Sequence, residues 1–137
     1  MQDLAALAAH GWDLLDPAEV AATPDAYRRF VQGSLAELGV SKQGYVTSRS
    51  GWFSDRSACY LASGRPVVAQ DTGFGDHLPT GAGLLSFATA DEAVAATSAV
   101  VADYERHRRA ARELAAAHLD ARTVLTDVLH HLGAPTP

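Results

Sequence analysis

The sequence predicts an α/β fold in which a mostly parallel sheet of about four strands is flanked by helices. Segments with helical spacing of apolar residues alternate with short apolar runs, which is the pattern of strands joined by crossover helices. The run at residues 66–70 is almost continuously apolar, as expected of a strand that is buried on both faces. We predict strands at about residues 12–15, 35–40, 66–70 and 84–87.

Length and composition indicate an ordinary globular protein. A chain of 137 residues can bury a real core, so we expect one domain over residues 1–137. The formal charge of −5 argues against nucleic-acid binding. The single cysteine, Cys59, permits no internal disulfide, and we expect it to be buried in helix packing. No apolar stretch is long enough to cross a membrane and the first residues do not resemble a signal peptide, so we expect a cytoplasmic protein.

The first part of the chain carries clear helix boundaries. Gly11 suits the residue just after a helix, and Thr23 followed by Pro24 suits a helix start, with a side-chain oxygen at the N-cap and proline at the first helical position. The predicted elements here are a helix over residues 3–10, a strand over 12–15, a helical turn over 18–22 and a helix from 24 to about 33.

The rest of the chain is organised around residues 50–73. Ser54 can cap a helix over residues 55–62, Gly64 suits its end, and the strand at residues 66–70 follows. The polar loop that comes next lies at the carboxyl end of this strand, where open α/β sheets bind ligands. After the strand at 84–87, Thr89 and Glu92 form a capping box for one long helix to about residue 118, with Val94 and Val101 on its apolar face. Asp120 caps a final helix, whose predicted apolar face is Val124, Leu125, Val128, Leu129 and Leu132.

Residues 50–68 read Ser-Gly-Trp-Phe-Ser-Asp-Arg-Ser-Ala-Cys-Tyr-Leu-Ala-Ser-Gly-Arg-Pro-Val-Val. This stretch resembles the donor-binding, C-terminal half of bacterial glycosyltransferases of the GT-B fold, and the similarity runs from about residue 11 to 132. The resemblance implies a Rossmann-like domain, truncated at its N-terminal side and covering about the last third of a full enzyme. It also implies a nucleotide-diphosphate sugar as donor substrate. No Cys/His spacing suggests a zinc site, and we expect neither a metal nor a cofactor.

The first candidate site is the loop before the central helix. Glycine-loop amides, a helix N-terminus and cationic side chains hold diphosphates, and here Gly51, Ser54, Lys42 and Arg49 offer them. The pattern Gly51-Trp52-x-Ser54 is similar to the Gly-Trp-Asn-Ser core of the donor signature in inverting plant-type glycosyltransferases. In that signature a histidine faces the diphosphate from the position that Arg49 holds here. The alternative is an ordinary strand-to-helix loop with solvated basic residues.

The second candidate site is Asp71, Thr72 and Gly73, at the strand end where the resemblance places contacts to the donor sugar or its phosphate. The alternative is a simple turn. Retaining members of the fold often carry two glutamates, and the equivalent positions here are Gly51 and Cys59, which puts that mechanism in doubt. We assign no catalytic residue, although His77 is the histidine nearest the proposed cleft.

The resemblance implies transfer of a sugar from a nucleotide donor, with the acceptor site and the general base supplied by an N-terminal domain or a partner chain. We therefore expect the chain to bind donor and to be inactive alone. Three alternatives stay open: one piece of a split enzyme, a stand-alone binding module, or an interaction module that forms a homodimer through an exposed sheet edge.

Overall fold

The computed structural model of the chain describes residues 2–133, with side chains described from Leu4 onward. The described residues form two compact units that divide between Gly33 and Ser34. The single domain over residues 1–137 stays a prediction.

The unit before Ser34 consists of short helices whose starts follow the predicted caps. The Asp16 carboxylate accepts a hydrogen bond from the amide of Ala18 at 2.8 Å, and the Thr23 hydroxyl accepts one from the amide of Ala26 at 3.1 Å. The helices are α1 (Gln2–Ala9), α2 (Pro17–Val20) and α3 (Pro24–Gly33).

The prediction of a strand at residues 12–15 is wrong. These residues belong to no helix or strand, and Trp12, Leu14 and Leu15 are each about half exposed, at 54%, 50% and 57%. A strand needs a neighbouring strand to pair its backbone amides and carbonyls, and the ladders of the described sheet contain none of these residues. Asp16 and Pro17 instead begin a helical turn directly after the apolar run.

The unit from Ser34 onward is an α/β structure with a three-stranded parallel sheet flanked by helices. The strand order is β1-β2-β3, and the register pairs Gly39 with Ala69 and Ala69 with Ser86. The sheet therefore has the predicted parallel direction and three of the predicted strands. The elements are β1 (Glu37–Gly39), α4 (Gln43–Thr47), α5 (Asp55–Ala62), β2 (Val67–Gln70), β3 (Leu84–Phe87), α6 (Ala90–Ala102), α7 (Tyr104–His118) and α8 (Ala121–His131).

Helices cover both faces of this sheet. Val68 of β2 packs with Phe87 of β3 and with Ala96 and Val100 of α6. Successive side chains of a strand point to opposite faces, so Ala69 lies on the face away from α6, where the residues of α5 approach it. This arrangement places the start of α5 beside the carboxyl ends of β1 and β2.

The predicted long helix is two helices. The chain leaves helical geometry at Asp103 (φ −138°, ψ 59°), which separates α6 from α7. Val94 and Val101, which we predicted on the apolar face of this helix, are 67% and 60% exposed, whereas Ala96 and Val100 of α6 are buried. The capping box at Thr89 and Glu92 forms as predicted.

Helix α7 packs closely on the rest of this unit. The Gly83 amide donates a hydrogen bond to Nδ1 of the buried His107 at 3.2 Å, and an Arg112 guanidinium nitrogen donates to the carbonyl of Ala62 at the end of α5. Cys59 is exposed on α5, contrary to expectation. The apolar residues that we predicted on the last helix are all exposed, four on α8 and one at its C-cap: Val124, Leu125, Val128, Leu129 and Leu132.

A candidate ligand cavity at the strand ends

A cavity of about 360 Å³ opens at the carboxyl ends of β1 and β2. Gly39 and Ala69, with Gln70, bring the two strand ends to it, and Ser54, Arg56 and Ser57 bring the first turn of α5. In open parallel sheets, ligands bind at this edge. The volume also lies within the range of about 300–1,000 Å³ that is usual for small-molecule sites.

The chain enters the cavity through a sharply turned loop. Arg49 (φ 46°) and Gly51 (φ 72°) both have left-handed backbone geometry, which only glycine adopts without strain. Ser54 then begins α5 by accepting a hydrogen bond from the amide of Arg56 at 3.2 Å. The predicted helix start is confirmed, and it presents the residues of the first turn to the cavity.

Aromatic rings form one wall of the cavity. Tyr45 and Trp52 are stacked, with ring centroids 4.9 Å apart and planes 16° from parallel. Phe53 and Phe74 pack behind them at 5.5 Å with a tilt of 58°. Because Trp52 is 45% exposed, part of this apolar surface can be reached from solvent. A planar ring of a ligand would find a stacking surface here.

Two of the predicted site residues line this cavity. Lys42 lies at the start of α4, where its side chain makes no cap hydrogen bond, and within residues 2–133 it belongs to no ion pair. Ser54 lines the cavity from the start of α5. The cavity is thus lined by two groups that we predicted to bind an anion: the Lys42 cation and the N-terminus of α5 at Ser54.

The other five predicted residues come together beside it, in two interlocked loops. The Gly51 amide donates to the carbonyl of Thr72 at 2.8 Å, and the Thr72 hydroxyl donates back to the carbonyl of Trp52 at 2.6 Å. The Gly73 amide donates to the Asp71 carboxylate at 2.8 Å. The hydroxyl and the amides that we expected to face a ligand therefore have partners within the chain.

Arg49 is bound in the same cluster. Its guanidinium lies 3.2 Å from the Asp71 carboxylate and 3.6 Å from that of Asp76. One cation between two carboxylates leaves the group with a net negative charge. His77 lies beside it, since its ring carbon Cδ2 is 3.8 Å from where a Cβ on Gly51 would be.

Sequence reasoning missed an ion pair at the base of the cavity. Arg56 of α5 donates from Nε to Oε1 of Glu37, on β1, at 2.5 Å. The Glu37 side chain is only 4% exposed and that of Arg56 is 53% exposed. A signal was present, because a carboxylate inside a predicted buried strand requires a partner, and the exposed first turn of the predicted helix over residues 55–62 could supply one.

Neither a metal centre nor a membrane-spanning helix is found in the described part of the chain. Among residues 2–133, no three His, Cys, Asp or Glu side chains come together in a way that could hold an ion. None of the helices described is both long enough and apolar enough to span a bilayer.

Comparison of the chain with protein-family models, with curated proteins and with solved structures gives no match in any of the three.

Proposed function

We propose that the unit from Ser34 onward binds a nucleotide-diphosphate sugar, as the donor-binding domain of a glycosyltransferase with the GT-B fold. The observation that carries the proposal is the cavity at the carboxyl ends of β1 and β2, which combines aromatic and cationic side chains. The parallel α/β sheet is compatible with the Rossmann-like domain that the proposal needs.

In this proposal the aromatic wall takes a ring of the ligand. Every nucleobase has a flat face that stacks on aromatic side chains, and the face of Trp52 is supported from behind by Tyr45. A stack of this kind accepts many bases, so the cavity supports a nucleotide without selecting uracil, guanine or thymine.

The diphosphate then lies on the side of the cavity that holds Lys42 and Ser54. Lys42 supplies positive charge, and the first turn of α5 supplies backbone amides and the positive end of the helix dipole. The loop at residues 71–73 supports Trp52, because the Thr72 hydroxyl donates a hydrogen bond to the Trp52 carbonyl.

The same proposal implies that the chain alone does not transfer sugar. Transfer requires donor and acceptor to be held in register with a general base. In the proposed enzyme class those parts come from an N-terminal domain, so donor binding without turnover is the expected behaviour of this chain.

Binding can be followed through Trp52, because the chain has one other tryptophan, Trp12. In a Trp12→Phe chain, titration with UDP-, GDP- and dTDP-sugars should change Trp52 emission, and calorimetry should give the matching heat. Lys42→Ala should weaken binding about tenfold through loss of a charge-assisted contact, whereas Arg109→Ala on α7 is the matched control. Unchanged emission together with no heat for any donor would remove the proposal.

One observation favours the alternative of an interaction module. Strand β1 is at the edge of the sheet, and Leu35, Leu38 and Val40 on and around it are 56%, 46% and 75% exposed. An exposed apolar edge strand can pair with a second copy of the chain. Light scattering would then report a dimer that Leu38→Lys converts to a monomer. A monomer at all concentrations would exclude this alternative.

A further inference from the structure

Neither residue of the Glu37–Arg56 ion pair was predicted as a site residue, yet the pair lies at the base of the cavity. Arg56 lines the cavity and Glu37 lies beneath it on β1. A Cβ on Gly39 would lie 3.4 Å from Oε1 of Glu37 and 3.8 Å from Nη2 of Arg56. Since Gly39 also lines the cavity, the guanidinium is placed directly at the end of β1.

Stability does not explain this pair. Oε2 of Glu37 is buried and has no hydrogen-bond partner within residues 2–133. A buried carboxylate oxygen without a donor is costly, and a buried ion pair is often no more stable than apolar residues of the same size. An apolar residue at position 37 would avoid this cost. The carboxylate is therefore better explained by its effect on Arg56, which it holds in position.

The loop cluster around Arg49 and the cavity carry net charges of opposite sign. The cluster in the loops contains Arg49 with two carboxylates, and Arg49 does not line the cavity. The cavity itself holds two cations, Lys42 and Arg56, against the one buried carboxylate of Glu37. An anion is therefore attracted to the cavity and repelled by the loop cluster.

We propose that Arg56, held in position by Glu37, contacts the phosphate groups of the ligand together with Lys42, and that Arg49 does not. This inference rests on the proposed nucleotide-diphosphate site and names the residues that receive its anion. The Nε–carboxylate bond fixes the plane of the guanidinium, and a planar guanidinium suits bidentate contact with phosphate oxygens. Glu37 is a positioning residue in this arrangement.

The test uses the full chain and two probes, inorganic pyrophosphate and UDP, measured by calorimetry. Arg56→Gln should lower the affinity for both about tenfold or more, since it removes a charge-assisted contact. Arg49→Gln is the matched control and should change both by less than about twofold, because Arg49 lies outside the cavity lining and its side chain is 60% exposed, where water and salt screen its charge. Arg56→Lys keeps the charge but loses the Nε bond, and it should fall between these two.

Glu37→Leu separates positioning from simple charge, because leucine removes both the negative charge and the acceptor of the Arg56 Nε hydrogen bond. Removal of a negative charge should raise pyrophosphate affinity if charge alone matters, whereas loss of the fixed guanidinium should lower it. We expect a decrease, and an increase would overturn the positioning role. The thermal midpoint of each variant checks that it is folded, and Arg56→Lys keeps the test valid if Arg56→Gln fails to fold.

The outcomes distinguish this inference from the function on which it rests. Affinity that depends on Arg49 but not on Arg56 would overturn the inference and leave nucleotide binding intact. Arg56-dependent pyrophosphate binding with no additional affinity for UDP would support the inference and contradict the nucleotide. A wild-type chain that binds neither probe would overturn both.

Discussion

At the scale of single residues, Gly83 is the position that tolerates a side chain least. Its φ is +76°, and a Cβ there would lie 2.3 Å from the backbone nitrogen of Ala111 and 2.6 Å from the carbonyl carbon of Ala110. The obstructing atoms are helix backbone, so relief would require α7 to move away from the sheet. The glycine therefore sets how closely α7 packs.

Gly83→Ala should accordingly lower the free energy of unfolding by about 3 kcal/mol or more, as a mutation that combines backbone strain with overlap in a packed region. Urea unfolding followed by circular dichroism measures it. The matched control is Gly44→Ala in α4, where no atom lies within 4 Å and φ is ordinary. That control should be neutral or slightly stabilising, and equal losses in both variants would contradict the close packing at Gly83.

For Glu37, in contrast to Gly83, we expect a substitution to change stability very little. Glu37→Leu removes a buried oxygen that lacks a donor and leaves Arg56, whose side chain is half exposed and can be hydrated. We expect the free energy of unfolding to change by less than about 1 kcal/mol. The same urea experiment measures it, and a loss of about 3 kcal/mol would mean that the ion pair is mainly structural.

At the scale of secondary structure, the start of α6 offers a test of the capping argument. The Thr89 hydroxyl accepts from the amide of Glu92 at 3.2 Å, and the Glu92 carboxylate accepts from the amides of Ala88 and Thr89. Thr89→Ala should cost about 1 kcal/mol of unfolding free energy, because it leaves the Glu92 amide without its side-chain partner.

The control is Thr97→Ala in the same helix, where the hydroxyl only donates back to the carbonyl of Ala93. Alanine has the higher helix propensity, so this change should be neutral or stabilising. Equal effects of the two substitutions on the urea midpoint would show that the capping box contributes nothing.

Elements with strong local signals were predictable from the sequence. Thr23, Ser54, Thr89 and Asp120 each begin a helix as expected, because a cap is satisfied by atoms a few residues away. The apolar run at residues 12–15 looked like a strand, but whether such a run pairs depends on a neighbouring strand that local sequence does not specify. The break at Asp103 carries no glycine or proline to mark it.

In the candidate site, too, some features could be predicted from the sequence and others could not. Lys42 and Ser54, which we predicted as site residues, line the cavity because both lie in the strand-to-helix loops at the strand ends, and their role in binding stays a prediction. The hydrogen bond from Thr72 to the Trp52 carbonyl and the ion pair between Glu37 and Arg56 join residues 19 or more positions apart. Contacts of that kind depend on how the elements pack, so spacing along the chain could not reveal them.

At the scale of the whole molecule, the chain is acidic while the proposed ligand is also an anion. The formal charge of −5 would oppose binding if all charges acted equally. At about 0.15 M ionic strength, exposed charges are largely screened beyond about 8 Å, so the cations that line the cavity decide the local attraction. The proposed site is thus consistent with the acidic composition.

The most direct test of the central claim is to map where a nucleotide diphosphate binds by recording backbone amide shifts in NMR during titration with UDP. The account expects the shifts to concentrate at the strand ends, residues 39–42 and 69–74, and at residues 52–57, with α6 and α8 almost unaffected. Shifts that avoid these segments, or no shifts at millimolar UDP, would contradict a ligand cavity at the carboxyl ends of β1 and β2.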